Sequence, residues 1–141
     1  MTDLLAMGRQ ALASQPFSRL LGTELEVLRE GLAELRLPLR TELKQQHGFA
    51  HGAVVCYMAD NALTFAGGSV LGPACVTSEF KINYVRPALG SALVARAAVV
   101  HAGKSQAVCR CEVLALRDGA ELLVAVAQGT IARLAGSPEA G

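Results

Sequence analysis

Residues 51–68 read HGAVVCYMADNALTFAGG, a run that is apolar over the length of a helix and carries one acid, Asp60. Residues 53–80 contain no lysine or arginine, so no neighbour in sequence can neutralise this carboxylate. An unpaired carboxylate in an apolar helix destabilises a fold, because the charge loses water without gaining a partner. We therefore expect a functional reason for Asp60. A helix that is apolar on nearly every side must also be covered on nearly every side.

In the segments before and after this helix, apolar and polar side chains alternate as they do in β-strands. Before it, residues 33–37 alternate apolar and charged side chains after a turn at Glu30-Gly31, which predicts a hairpin of two strands from about Thr23. After it, the Asp118-Gly119 pair between apolar runs is a strong hairpin signal. Four strands are expected there, over residues 75–86, 93–101, 107–117 and 122–134.

Two helices are predicted. Residues 3–14 are weakly helical and end before Pro16, whereas the apolar helix runs from about Gly52 to Ala66 and is stopped by Gly67-Gly68. The order is helix, two strands, long helix, four strands, and hairpin connections make the sheet antiparallel. The fold class is therefore α+β, with a curved antiparallel sheet of about six strands wrapped around the long central helix.

The bulk composition of the 141 residues excludes several classes of protein. Residues 1–135 suit a single domain, and residues 136–141 are predicted to form a disordered tail. A hydrophobic fraction of 52% suggests apolar surface hidden in a homo-oligomer as well as in a core. A net charge of +1 and the absence of Trp argue against nucleic acid. No apolar run approaches the ~18 residues that span a bilayer, and no signal-peptide pattern opens the chain, so we expect a cytoplasmic protein without membrane partners.

The cysteines do not form a metal-binding pattern. Cys56, Cys75, Cys109 and Cys111 contain no CxxC pair, and the three histidines do not complete a zinc spacing. We therefore expect small, buried, reduced side chains and no metal.

Several residues together resemble the hotdog-fold acyl-CoA thioesterases of the phenylacetate-degradation (PaaI-like) type. Gln45 precedes the His51-Gly52 step by six positions, and Asp60 follows His51 by nine. The segments VTSEFKINYVRPA (76–88) and VVHAGK (99–104) also match, and the resemblance covers residues 16–134. It implies a dimer or tetramer of hotdog units with the active site at the subunit interface, where one chain supplies the helix N-terminus and its neighbour supplies the acid.

The resemblance also implies roles for the residues that match. Asp60 is the general base or the nucleophile, and Gln45 orients the attacking water or binds the carbonyl. The Gly52 amide faces the thioester oxygen from a helix N-terminus, where unpaired N–H groups and the helix dipole favour negative charge. His51 either polarises the carbonyl or makes a structural hydrogen bond, and the Thr77 hydroxyl supports the acid.

The remaining expectations concern the CoA moiety and the acyl group. Basic residues near turns can meet the CoA phosphates, and the candidates are Arg86, Lys81 and the Gly103-Lys104 turn. No cofactor is expected, since CoA is part of the substrate. The family usually has His-Gly-Gly, and Ala53 replaces the second glycine here, which can narrow the acyl approach. The sequence does not indicate which acyl group is used.

Two other functions are compatible with parts of the pattern. A hotdog hydratase or dehydratase would use a histidine together with an acid, and His51 and Asp60 supply both. A non-catalytic acyl-CoA-binding module would bind ligand without releasing CoA. The combination of Asp60, the Gly52 amide and Gln45 favours thioester hydrolysis over both.

Overall fold

The computed structural model describes residues 3–136, so residues 137–141 of the predicted tail lie outside the described part of the chain. Three helices and six strands follow one another, with a 3₁₀ turn at Thr41–Leu43 between the second strand and the long helix. The elements are α1 (Leu4–Ala13), α2 (Pro16–Leu21), β1 (Glu24–Arg29), β2 (Leu32–Pro38), α3 (Gly52–Leu71), β3 (Cys75–Tyr84), β4 (Ala92–Ala102), β5 (Gln106–Arg117) and β6 (Ala120–Arg133).

The six strands form one antiparallel sheet in the order β1-β2-β4-β5-β6-β3, which confirms the predicted α+β class. The hairpins β1–β2 and β5–β6 are the ones that Glu30-Gly31 and Asp118-Gly119 predicted, and a third hairpin joins β4 to β5. The strand that follows α3 does not extend the first hairpin but crosses to the far edge, next to β6. This crossover makes β3 an edge strand with one side of its backbone unpaired by the rest of the sheet.

The long helix α3 lies against the inner face of the sheet and is the centre of the core. Met58, Ala59, Ala62, Leu63 and Ala66 have no solvent exposure. By length and composition α3 could cross a membrane, but these contacts with the sheet identify it as a core helix. Each fully buried Leu or Met side chain stabilises the fold by roughly 1.5–3 kcal/mol.

The predicted end of α3 was wrong. The helix continues through Gly67 and Gly68 to Leu71 and is capped at Gly72, where φ is 102°. Gly67 is needed for close packing rather than for a turn, because a Cβ atom there would lie 2.7 Å from Cβ of Ile131 on β6. The contact with the sheet outweighs the cost of about 1 kcal/mol that glycine carries inside a helix.

A second helix was also missed. The chain turns at Ser14 and Gln15 and begins α2 at Pro16, a residue that is favoured in the first turn of a helix. Pro16 therefore ends one helix and starts another. The helix α2 stops at Gly22, which has a φ of 88°.

A bulge in β3 sets which side chains face α3. The pairing of β3 with β6 shifts between Thr77 and Glu79, which leaves Ser78 as an extra residue. Thr77 and Tyr84 are seven positions apart and would point to opposite faces of a regular strand. The extra residue corrects this parity, so both side chains face α3, as their hydrogen bonds to that helix show.

The prediction for the cysteines was half right. All four are free thiols, and Cys109 and Cys111 are buried, but Cys56 and Cys75 are only partly buried. Burial raises the pKa of Cys109 to about 11 and that of Cys111 to about 12. These two thiols are therefore protonated and unreactive at neutral pH.

The bulge depends on Gly129 of β6, and this dependence can be tested. A Cβ atom at Gly129 would lie 2.2 Å from the Glu79 carbonyl oxygen, and backbone cannot move aside as a side chain can. We expect Gly129→Ala to lower the free energy of unfolding by at least about 2 kcal/mol. Gln128 is an exposed neighbour of Gly129, and the control variant Gln128→Ala should change the free energy of unfolding by less than about 0.5 kcal/mol. Urea unfolding of both variants measures the difference, and equal stabilities would contradict the role of Gly129.

Candidate active site

Asp60 is held by a pair of threonines at the point where α3 meets β3. The Thr77 hydroxyl donates to Asp60 Oδ1 at 2.6 Å, so the hydrogen bond expected between these residues is present. Thr64, one helical turn after Asp60, has its Oγ1 2.9 Å from Thr77 Oγ1 and 2.9 Å from the Asp60 carbonyl oxygen. Because a hydroxyl has one proton, Thr64 donates to one of these two acceptors at a time. No sequence pattern identified Thr64 as a partner of the acid.

The second carboxylate oxygen of Asp60, Oδ2, is available to react with water or substrate. Within residues 3–136, Oδ2 has no hydrogen-bond partner and Asp60 makes no ion pair. The carboxylate is partly buried. A half-buried carboxylate that is oriented by one hydroxyl and unpaired on its other oxygen can accept a proton or attack an electrophile.

The polar residues next to Asp60 on α3, Tyr57 and Asn61, are engaged in hydrogen bonds with other parts of the chain. The Tyr57 hydroxyl lies 2.7 Å from the hydroxyl oxygens of both Ser18 and Thr23, and Asn61 Nδ2 donates to it at 3.2 Å. This cluster fastens α2 to α3. Only Asp60 and Thr64 turn the other way, toward β3.

The N-terminus of α3 presents one unpaired amide. The Ala53 amide donates to His51 Nδ1 at 3.0 Å and the Val54 amide donates to the His51 carbonyl at 2.9 Å. Among the described residues, the Gly52 amide has no acceptor. An unpaired N–H in the first turn of a 20-residue helix is a donor for developing negative charge.

His51 has a structural role in this arrangement. It is the N-cap of α3, and its backbone amide donates to the Leu43 carbonyl at 2.9 Å. Since Nδ1 accepts a hydrogen bond, the proton of the neutral ring is on Nε2. The sequence left two roles open for His51, polarising the carbonyl or making a structural hydrogen bond, and the structural hydrogen bond is the one observed.

Tyr84 belongs to the same region and was missed by the sequence analysis. Its hydroxyl donates to the Gly52 carbonyl oxygen at 2.9 Å, so the last residue of β3 fixes the first peptide of α3. Burial, followed by the nearby Cys56 thiol, raises the pKa of Tyr84, so the hydroxyl remains a donor at neutral pH. Only the β3 bulge turns Tyr84 to this face, and no periodic pattern indicates it.

An open cleft of about 480 Å³ brings Gln45, Gly52, Tyr84 and Arg86 together. Gln45 lies in the loop before α3, and an isolated antiparallel β-bridge between Lys44 and Ala50 closes this loop. Gln45 Oε1 accepts a hydrogen bond from the His47 amide. The amide nitrogen of Gln45 therefore remains as a donor, which suits a carbonyl oxygen better than an attacking water.

The acid and the cleft are far apart within one chain. Asp60 follows Gly52 by eight residues, or about 12 Å along the helix axis. Thr77 and Tyr84, which mark the two places on β3, are roughly 20 Å apart along the strand. One carbonyl group cannot contact both the Gly52 amide and the Asp60 carboxylate of a single chain.

The candidate CoA-binding residues are also separated. Arg86 lines the cleft and donates to the Leu123 carbonyl at 3.2 Å. The Gly103-Lys104 turn joins β4 to β5 at the opposite end of the sheet, next to the end of β6 and one strand away from the start of β3. Lys81 lines a different groove of about 590 Å³ together with Arg96 and Arg110. One chain therefore does not bring the four residues together, and Lys81 lies outside the cleft. Within residues 3–136, no group of three His, Cys, Asp or Glu residues is placed to hold a metal.

Proteins with similar sequences and structures include thioesterases. The family model described as Thioesterase superfamily matches residues 47–121, more than half of the chain. The acyl-coenzyme A thioesterase PaaI of Escherichia coli is 29% identical over 121 residues, which cover 85% of this chain and 84% of that protein.

Solved structures give the same result. A thioesterase family protein from Silicibacter pomeroyi superposes with a TM-score of 0.85 at 33% identity, covering 92% of this chain and 97% of that one. A mutant of the phenylacetic acid degradation protein PaaI from Thermus thermophilus superposes with a TM-score of 0.73 at 34% identity, covering 85% and 100%. The family match, the α3-in-sheet architecture and these structures agree: the chain belongs to the thioesterase superfamily and is a PaaI-like thioester hydrolase with the hotdog fold.

Proposed function

We propose that the protein is an acyl-CoA thioesterase whose active site is shared by two subunits of a homo-oligomer. One subunit supplies the Gly52 amide and Gln45, and the other supplies Asp60 with Thr77. The observation that carries this proposal is the separation of about 12 Å between Gly52 and Asp60 on one helix, because each half-site is well formed but neither is complete.

The unpaired edge of β3 supports a specific way of completing the site. If two β3 strands pair antiparallel about a two-fold axis at Lys81, Phe80 lies opposite Ile82, and the extra residue Ser78 then places Thr77 of one chain opposite Tyr84 of the partner subunit. Thr77 is hydrogen-bonded to Asp60, and Tyr84 is hydrogen-bonded to Gly52, so these two β3 residues show where the acid and the helix N-terminus lie. The pairing therefore brings the acid of each chain to the helix N-terminus of the other.

The same pairing accounts for two of the basic candidates. Arg86 follows the end of β3, and the Gly103-Lys104 turn lies at the same end of the sheet as the start of β3, with β6 between them. Antiparallel edges place Arg86 of one chain near Lys104 of the partner subunit. Two cations that are far apart in one chain then flank the shared site, where CoA phosphates would be bound.

The reaction follows from the donors and the acid. The thioester carbonyl oxygen accepts hydrogen bonds from the Gly52 amide and the Gln45 side chain, which stabilise the negative charge that develops as the carbonyl is attacked. As general base, Asp60 takes a proton from water, the hydroxide adds to the carbonyl carbon, and the C–S bond breaks. The CoA sulfur leaves with its electron pair and takes up a proton, which gives the free acid and CoA. As nucleophile, Asp60 would form an anhydride that water then hydrolyses.

Asp60→Asn provides the first test, because the amide can still accept a hydrogen bond from Thr77 but cannot act as a base. We expect normal folding, retained acyl-CoA binding and a loss of about 10²–10⁴-fold in kcat. Thiol release measures turnover, and calorimetry measures binding.

Single-turnover hydrolysis by the wild-type protein in ¹⁸O water separates the two mechanisms, since only the anhydride route labels the Asp60 carboxylate. Full turnover by Asp60→Asn would rule out both.

Gly52→Pro tests the oxyanion amide. Proline is favoured in the first turn of a helix, His51 already has the extended backbone that proline requires before it, and the only donor removed is the unpaired N–H. We expect a loss of about 10²–10³-fold in kcat with little change in stability. Gly52→Ala is the matched control, since it adds the same Cβ atom, 3.8 Å from the Tyr84 ring, but keeps the amide. Equal activities of the two variants would exclude the amide from catalysis.

Mixed dimers test the shared site. Co-expression of differently tagged Asp60→Asn and Gly52→Pro chains, followed by purification on both tags, gives dimers in which one of two sites has both intact halves. We expect about half of the wild-type turnover from two inactive parents. Dimers of a wild-type chain with a chain carrying both changes should be inactive. A site formed within one chain would give the opposite pair of results.

A further inference from the structure

A pocket of about 220 Å³ lies between α1 and the C-terminal half of α3, and the mechanism above does not use it. Most of its lining residues are apolar, which is typical of sites that bind small ligand groups. The residues used below are part of its wall: Met7, Ala11, Leu28, Asn61, Thr64 and Phe65.

The pocket begins next to the catalytic carboxylate. Asn61 directly follows Asp60, and Thr64 lies one turn further along α3. The Thr64 hydroxyl is 2.9 Å from that of Thr77, which in turn donates to Asp60 at 2.6 Å. Two hydroxyl groups therefore connect the wall of the pocket to the Asp60 carboxylate.

We propose that this pocket binds the acyl group, so that Met7 and Ala11 of α1 determine which acyl-CoA esters are hydrolysed. The inference rests on the proposed function, because it takes the thioester to be attacked at Asp60. Each subunit then supplies the acid and the acyl pocket of one site. The partner supplies the Gly52 amide, and the CoA moiety extends away from α1 toward the cleft.

The chemistry of the wall defines the class of acyl group. Among residues 3–136, no charged side chain lines the pocket, and its apolar side chains come from α1, β1 and α3, with Met7, Leu28 and Phe65 among them. An apolar cavity of about 150 Å³ holds benzene, so this pocket accommodates an apolar acyl body of that size or somewhat larger. Acetyl groups would leave most of it empty. Acyl groups that end in a carboxylate would bury an unpaired charge.

The experiment compares two variants on the exposed side of α1. Ala11→Phe places a ring at the pocket, whereas Ala6→Phe places the same ring on the same helix at a position outside the pocket lining. We expect Ala11→Phe to lower kcat/KM for octanoyl-CoA and benzoyl-CoA about tenfold or more and to change acetyl-CoA hydrolysis little.

Met7→Ala, at a side chain that is 47% exposed, should shift the preference toward longer chains. The wild-type protein should prefer butyryl-CoA to succinyl-CoA, which differs by a terminal carboxylate.

Binding to Asp60→Asn separates failure of the pocket from failure of the proposed function. In this background, Ala11→Phe should weaken the binding of octanoyl-CoA about tenfold without affecting free CoA, whether or not the parent turns over. Identical acyl profiles and affinities for Ala11→Phe and Ala6→Phe would overturn the pocket. Full turnover by Asp60→Asn would overturn the proposed function and leave the binding comparison to decide the pocket.

Discussion

The burial of α3 against the inner face of the sheet is the interaction on which the rest of the structure depends. The helix is apolar on most of its circumference, and a six-stranded antiparallel sheet is the surface that covers it. Close contact is possible because Gly67 brings the helix backbone against Ile131 of β6. This packing leaves the first turn of α3 and the face that carries Asp60 partly uncovered, and among residues 3–136 the Gly52 amide and the second Asp60 oxygen have no hydrogen-bond partner there.

The edge strand β3 connects the two halves of the site. Near its start, Thr77 orients Asp60, and at its end Tyr84 holds the Gly52 peptide. Both contacts exist because the bulge at Ser78 turns side chains that are seven residues apart to one face, and Gly129 leaves room for that bulge. An edge strand with an open backbone invites pairing with another strand. In the proposed dimer that tendency assembles the active site.

The sequence predicted much of this because strong local signals agreed with the fold. The Asp118-Gly119 turn and the alternation of residues 33–37 indicated hairpins that the structure contains. The misses occurred where a long-range contact overrode a local signal. Gly67-Gly68 reads as a helix stop, but the pair is retained inside α3 by packing against β6. Tyr84 and Lys81 are both strand residues near the predicted site, and only the bulge determines which of them faces α3.

The sequence by itself determined that an apolar helix must be enclosed by a sheet and that Asp60 is a charge without an evident structural purpose, whereas Gly52, Gln45 and Thr77 were identified by the resemblance to the thioesterases. The first two conclusions need only local periodicity and the cost of an unpaired charge. Only the tertiary structure decided that Thr77 and Thr64 orient the acid, that Gly52 keeps the free amide, and that the two groups are too far apart within one chain. Those facts depend on strand order and on one extra residue in β3, which bring together positions that are distant in the sequence.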